Sequence, residues 1–240
     1  MKRDHRPYFV KRLDLSFQQW YANHFLRPHF DYLGEGALFL RPWYVEVFGG
    51  PITVGDFANI IATPDKRVRL TVWSNTEAEG SIHIGRFCLI CPGVRISSAL
   101  GISIGDSCMM AQSVHITDSD WHGVYDRGEP VGKSAAVKIG NNVWLGDSAI
   151  VCKGVTIGDN SIIGAGAVVI RDIPPDVIAA GNPATVVKKL DADRPVRTRA
   201  DWFAEPDLLA AQFREIDREM LKGNSLVGWL RSLVFPKRGD

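Results

Sequence analysis

Cysteine is scarce in this chain, long apolar runs are missing, and neither sign of charge dominates. Four cysteines in 240 residues make no disulfide framework, which fits a reducing compartment. No uninterrupted apolar run approaches the roughly 18 to 20 residues of a membrane span. The start, Met1-Lys2-Arg3-Asp4-His5-Arg6-Pro7, is basic, but Lys11, Arg12 and Asp14 interrupt the next stretch. No signal core is read there, and a cytoplasmic location is expected. A formal charge of +1 gives no basic surplus for phosphate backbones, so no nucleic-acid partner is expected. With 45% hydrophobic and 23% charged residues, the chain is long enough to bury one main core.

What the sequence does have is a period of six. Aliphatic residues recur at Ile139, Leu145, Val151, Ile157, Ile163 and Val169, a spacing that neither a helix nor a hairpin sheet has. Small or β-branched residues stand two places earlier, at Val143, Ala149, Val155, Ser161 and Ala167. Residues i−2 and i of a strand share a face, so Val143 and Leu145 point inward and Trp144 outward. Each hexad is then one short strand and a turn, and three sides close a coil of about 18 residues. The expected fold is all-β, a left-handed parallel β-helix, with glycines at corners where positive φ or close approach is cheap for them.

The register reappears earlier, at Ile84, Ile90 and Ile96 and, after a slip, at Ile104, Met110 and Ile116. Stacking predicts Ile84 under Ile104, Ile90 under Met110 and Ile96 under Ile116. A further coil is expected near Ile52 to Ile60, followed by a charged insertion around Pro64 to Gly80, giving four or five coils and two interruptions. The phase also separates Cys88 from Cys91: the first falls inward beside Cys108, the second outward. The pair therefore reads as packing rather than as a redox or metal motif.

Asp172-Ile173-Pro174-Pro175-Asp176 ends the repeat, because prolines lack the amides a further coil needs. We expect an N-terminal, partly helical extension over residues 1–48, the β-helix domain over 49–190 with a projecting loop at 117–137, and a C-terminal helical tail over 191–240. In the tail, Leu209, Phe213, Ile216 and Met220 have amphipathic spacing, with Pro206 suited to a first helical turn. Leu226 to Phe235, followed by Lys237 and Arg238, is amphipathic as well. Docking on the body or a neighbouring subunit and contact with a membrane surface both stay open for it, as for the aromatic N-terminal stretch of Phe17, Trp20, Tyr21 and Phe25.

Between Ile116 and Ile139 the coil is interrupted by Thr117-Asp118-Ser119-Asp120-Trp121-His122-Gly123-Val124-Tyr125-Asp126-Arg127, continuing to Ala136. A loop of this size must leave one corner of a solenoid, and such loops commonly carry function. It concentrates acids, aromatics and an imidazole.

Three runs carry a family resemblance: Ile139-Gly140-Asn141-Asn142-Val143-Trp144-Leu145-Gly146, Gly158 to Val169, and Asp172-Ile173-Pro174-Pro175 through Ala180-Gly181-Asn182-Pro183-Ala184. Together they resemble the hexapeptide-repeat acetyltransferases, notably the galactoside and maltose O-acetyltransferases. The resemblance implies a homotrimer with acetyl-CoA, or another acyl-CoA, as co-substrate in a groove between neighbouring coils, and no metal. It implies a histidine of the projecting loop as base, matching His122, whose unperturbed pKa near neutrality suits proton removal from a hydroxyl or amine. Asp118 and Asp120 are the candidates to orient that ring. For acyl-CoA it points to Trp144, Gly146, Ala165, Arg171, Asn182, Pro183 and Lys188. His115 is the competing base and a candidate for the acceptor side, where Trp121, Tyr125 and Arg127 join it.

One departure bears on the acceptor. The galactoside enzymes present an acidic residue just before the strand corresponding to Ile102 to Ile104, where this chain has Ser98-Ala99. A different saccharide-type acceptor is expected, such as a precursor in cell-surface polysaccharide biosynthesis. Two other readings stay open: a γ-carbonic-anhydrase-like zinc enzyme using His83, His115 and His122, and a non-catalytic scaffold or binding module.

Overall fold

The computed structural model describes residues 4–73, 80–128 and 131–237; Met1 to Arg3 and Arg238 lie outside them. Short strands wind through three sheets of six, eight and six strands, parallel except for the last strand of the second. Each sheet is one face of a triangular coil. On the first face Val54, Ile84, Ile104, Ile139 and Ile157 stack in register. On the second, Phe39, Ile60, Ile90, Met110, Leu145, Ile163 and Ala179 do so. On the third, Val47, Leu70, Ile96, Ile116, Val151 and Val169 complete the column. All of these except Val47 are buried, and they form one continuous core. The three stackings expected from the period are present.

The coil is longer than expected. It begins with Tyr32–Leu33, Leu38–Leu40 and Val45–Phe48, inside the stretch read as an extension ending at residue 48. Leu33, Phe39 and Val45 do keep the six-residue spacing, but the run is only three positions long and the third face then slips by two to set Val47 beside Leu70, so the repeat announces these strands weakly. Within the expected insertion, Val68–Val72 is a regular third-face strand. Its Val68, Leu70 and Val72 are buried while Arg69 is exposed. Alternation with period two is present there, hidden by Lys66, Arg67 and Arg69.

The corners divide the work of glycine differently from expectation. Between the first and second faces the left-handed positions are Gly36 on the first coil and then Phe57, Phe87, Ser107, Asn142, Asn160 and Asp176, so glycine holds this position on the first coil alone. The other glycines of this corner serve close approach instead: a Cβ on Gly85 would lie 2.6 Å from the carbonyl carbon of Gly105. The aromatic corners stack, Phe57 on Phe87 at 5.7 Å, and Phe203 covers both at 5.8 Å. Cys88 and Cys108 are buried, Cys91 half-buried.

Helix α1 (Tyr8–Tyr21) closes the N-terminal end. Ala22, Leu26 and Phe30 after it enter the core, and the Gln18 side chain accepts the Arg41 amide at 2.6 Å. After the antiparallel strand Thr185–Lys189, the chain runs back along the coil as α2 (Arg199–Trp202), α3 (Pro206–Met220) and α4 (Leu226–Val234). Arg199 fastens it, donating to the Phe87 carbonyl at 2.6 Å and to Asn59 Oδ1 at 2.7 Å. Lys11 pairs with Asp217 at 2.6 Å, and Asn224 donates to the Asp4 and Arg6 carbonyls. The two ends of the chain are thereby tied together. Among the described residues no helix is long and apolar enough to cross a membrane.

Leu70 tests whether the charged segment belongs to the cooperative core. Leu70→Ala should cost about 2 to 5 kcal/mol in urea unfolding, as for other buried leucines; a surface excursion would lose under about 0.5 kcal/mol.

Candidate active site

The loop leaves from a fixed post. Asp118 is fully buried, and its Oδ1 accepts the Ala99 amide at 2.7 Å. Its Oδ2 accepts from Ser98 Oγ at 2.7 Å, the Leu100 amide at 2.9 Å and the Gly101 amide at 2.6 Å. The carboxylate is thus spent on the turn that starts at Ser98, and Asp118 acts on the coil rather than on the imidazole for which it was a candidate. An antiparallel pinch comes next: Ala135 N–H donates to the Asp118 carbonyl and Asp120 N–H to the Lys133 carbonyl, with Ser119 bridging to Ser134. Asp120 forms an ion pair with Lys153 on the next coil. Among the described residues, neither carboxylate bonds to the His122 ring.

Beyond the pinch, the backbone turns within three residues. His122 N–H donates to the Asp120 carbonyl at 2.7 Å, with Trp121 at φ 56° between them. That is a γ-turn with an aromatic residue in the left-handed region, a costly arrangement. The Trp121 indole holds it, donating to Thr117 Oγ1 at 3.0 Å. His122 itself is exposed. Tyr125 is 99% exposed, and Arg127 is exposed as well; both stand further out on the loop.

His115 occupies the third face just before this post, pointing outward beside the Arg95 and Ile150 rungs. Arg95 Nη2 lies 3.1 Å from its Nδ1. A guanidinium only donates, so Nδ1 must accept and the ring proton sits on Nε2. Burial, and secondarily the Arg95 charge, push the His115 pKa down to about 4. Arg67, Arg69, Gly93, Arg95, Ser113 and His115 line a cleft of about 160 Å³ here. Sequence reasoning missed this arginine cluster, although Arg69 and Arg95 hold the same phase as His115, each one residue before an inward aliphatic. His83 is on the first face, bonded to Thr53 Oγ1 at 2.7 Å. It projects from a different face from His115, so the three histidines are not gathered at one point.

The residues expected to meet acyl-CoA fall into groups. Trp144, Ile162, Ile178 and Lys188 form one transverse row on the second face, with Trp144 46% exposed. Gly146 and Ala165 stack at the next corner, where a Cβ on Gly146 would lie 2.6 Å from the Ala165 amide. Close approach is therefore a structural reason for Gly146. Asn182 and Pro183 form the exposed turn between the last two strands, and Arg171 is exposed after the third-face strand Val168–Val169.

Residues 136–171 match the model of the bacterial transferase hexapeptide family, in six repeats. Galactoside O-acetyltransferase of Escherichia coli (strain K12) is 40% identical over 113 residues, 46% of this chain and 55% of that protein. This chain resembles the hexapeptide-repeat acetyltransferases. The alignment spans about half the length of that curated relative. AntD, an N-acyltransferase from Bacillus cereus solved in complex with dTDP and 3-hydroxybutyryl-CoA, shares the fold at 16% identity. Its TM-score is 0.50, over 80% of this chain and 96% of its own. A galactoside acetyltransferase in complex with coenzyme A aligns at 27% identity over 80% of this chain and 90% of its own, with a TM-score of 0.49.

The His115 environment has a pH signature. The folded state resists protonation between its pKa of about 4 and the ordinary value near 6.5, where the unfolded chain binds the proton more readily. Its contribution is therefore complete above about pH 6.5 and declines as pH falls toward about 4. By NMR the His115 ring should titrate near pH 4; a midpoint near 6.5 would contradict the burial and Arg95 account.

Proposed function

We propose that this protein is an acyltransferase that moves an acetyl group, or another acyl group, from acyl-CoA to a hydroxyl or amine of a saccharide-type acceptor. The observation that carries the reading is the exposed imidazole of His122, set by a pinned γ-turn on a loop that departs from a hexapeptide coil. Its support from outside is the match to a galactoside O-acetyltransferase over the coil. Acylation of a nitrogen acceptor fits the same residues.

In this reading His122 is the general base. As the acceptor oxygen or nitrogen attacks the thioester carbonyl carbon, the imidazole takes the acceptor's proton and later returns one to the departing thiolate. A backbone N–H holds the negative charge that develops on the carbonyl oxygen. Asp120 positions the base through its pairing with Lys153, which ties the γ-turn to the coil. The donor supplies an activated acyl group on a thiol. Its long, partly apolar arm suits the row of Trp144, Ile162 and Ile178, and the cation of Lys188 at the end of that row suits a phosphate. Arg171, Ala165, Gly146, Asn182 and Pro183 complete the proposed donor side. Trp121, Tyr125, Arg127 and His115 form the acceptor side, in a homotrimer whose neighbouring coils enclose the groove.

General-base catalysis is worth about 10² to 10⁴-fold. His122→Ala should lower kcat by that order in a thiol-release assay with acetyl-CoA and a panel of hydroxyl and amine acceptors, with an unchanged melting temperature. Full retention of rate would remove His122 from the mechanism. Calorimetry showing no heat of acetyl-CoA binding to the native protein would remove the transferase reading itself.

A further inference from the structure

The cleft on the third face has a chemistry that general-base acyl transfer does not use. Arg69, Arg95 and His115 occupy successive rungs of one outward column, and Arg67 flanks it. Lys66 reaches in from the adjoining turn, with Nζ 3.1 Å from Ser113 Oγ. Glu46 answers two of these cations: its Oε1 accepts from Arg67 Nη1 at 2.6 Å, and Oε2 from Arg69 Nε at 2.7 Å. Both Glu46 oxygens are thereby used, and they hold two guanidinium groups side by side. Like charges directly opposite repel, and Arg69 and Arg95 are such a pair on adjacent rungs.

His115 makes the cluster more specific. Its Nδ1 takes an Arg95 N–H and fixes that guanidinium, leaving Nε2–H as a further neutral donor. The polar side chains that line it, beside Gly93 and Val114, are therefore mostly donors: guanidinium N–H groups, an imidazole N–H and a hydroxyl. Forked guanidinium donors suit planar carboxylate and tetrahedral phosphate oxygens. About 160 Å³ accommodates one such group with part of a sugar ring, well below the roughly 300 Å³ or more of a whole-ligand pocket. It is a subsite.

We propose that this cleft binds a phosphate or carboxylate group carried by the acyl acceptor, which makes the acceptor an anionic saccharide such as a sugar phosphate or a uronic acid. Assigning the anion to the acceptor rests on the acyltransferase reading; anion binding in the cleft does not. The placement favours the acceptor over the donor's own phosphates. His115–Thr117 is the strand that runs into the Asp118 post, and Thr117 holds the Trp121 ring beside His122. The row proposed for the donor lies on another face.

Calorimetry on the full chain separates the sources. Glucose 1-phosphate and galacturonate should bind, neutral glucose should not, and added NaCl should weaken the binding by screening. Losing one charge-assisted partner in Arg95→Gln should weaken glucose 1-phosphate by about 10- to 100-fold, and Arg69→Gln should act in the same direction. Arg95 is exposed, so the fold should tolerate the change, with the melting temperature as control. Acetyl-CoA affinity should be the same in both variants as in the native protein. If Arg95→Gln weakens acetyl-CoA instead, the cleft serves the donor phosphates and the proposal fails. It fails equally if glucose 1-phosphate binds no better than glucose, or if neither substitution weakens it. Absence of acetyl-CoA binding to the native protein, with glucose 1-phosphate binding as expected, would overturn the acceptor assignment and the transferase reading together while leaving an anion site.

Discussion

Every turn of a triangular coil breaks the strand ladder at a corner, and the backbone amides there need acceptors. Carboxylates and amides from adjacent coils supply them. Between the first and second faces, Asp106 Oδ1 accepts the Arg86 amide, Asn141 Oδ1 the Asp106 amide, and Asp159 Oδ1 the Asn141 amide. Between the third and first faces, Asp31 accepts the Ile52 amide and Asp172 the Thr156 amide. Asp118, with three backbone amides and a hydroxyl, is the most heavily engaged of this set. The aliphatic columns supply the burial, and these side chains keep each coil in register with its neighbours.

The functional geometry depends on that constraint. Because Asp118 must stay in the corner, the loop after it departs from a point that cannot move without exposing buried amides, each loss costing about 1 to 3 kcal/mol. The pinch at Ser119 and Ser134, the Asp120–Lys153 pair and the Trp121 indole carry that rigidity outward to His122. An exposed histidine on a long loop is thereby placed by a buried residue, without direct contact between them.

The period of six was legible because each inward position demands an aliphatic side chain at a fixed interval, and a single phase then assigns every neighbour to the inside or the outside. Cys88 and Cys91, Trp144, and the stacking of Ile84 under Ile104 all came from it. The first coil escaped because Leu33, Phe39 and Val45 hold the period for only three positions, and the exposed Leu38 and Leu40 on either side of Phe39 blur which residues face inward. Val68–Val72 escaped because its outward residues are charged, and charge reads as surface. Asp118 was legible as an acid in a reactive loop but not as a corner acceptor, because its four partners lie 17 to 20 residues earlier.

The same physics separates two histidines seven positions apart in sequence. His115 stands on a flat sheet face, partly withdrawn from water and beside a permanent cation, and both effects disfavour its charged form. A base with a pKa of about 4 has little driving force to take a proton at neutral pH, but it remains an uncharged donor and acceptor. That suits a group that fixes Arg95 and lines a cleft. His122 is exposed on the loop, and the strain of its approach is carried by Trp121 rather than by the imidazole. An outward column that recruits Arg69 and Arg95 therefore gives His115 a setting different from that of His122, which the loop carries away from those charges.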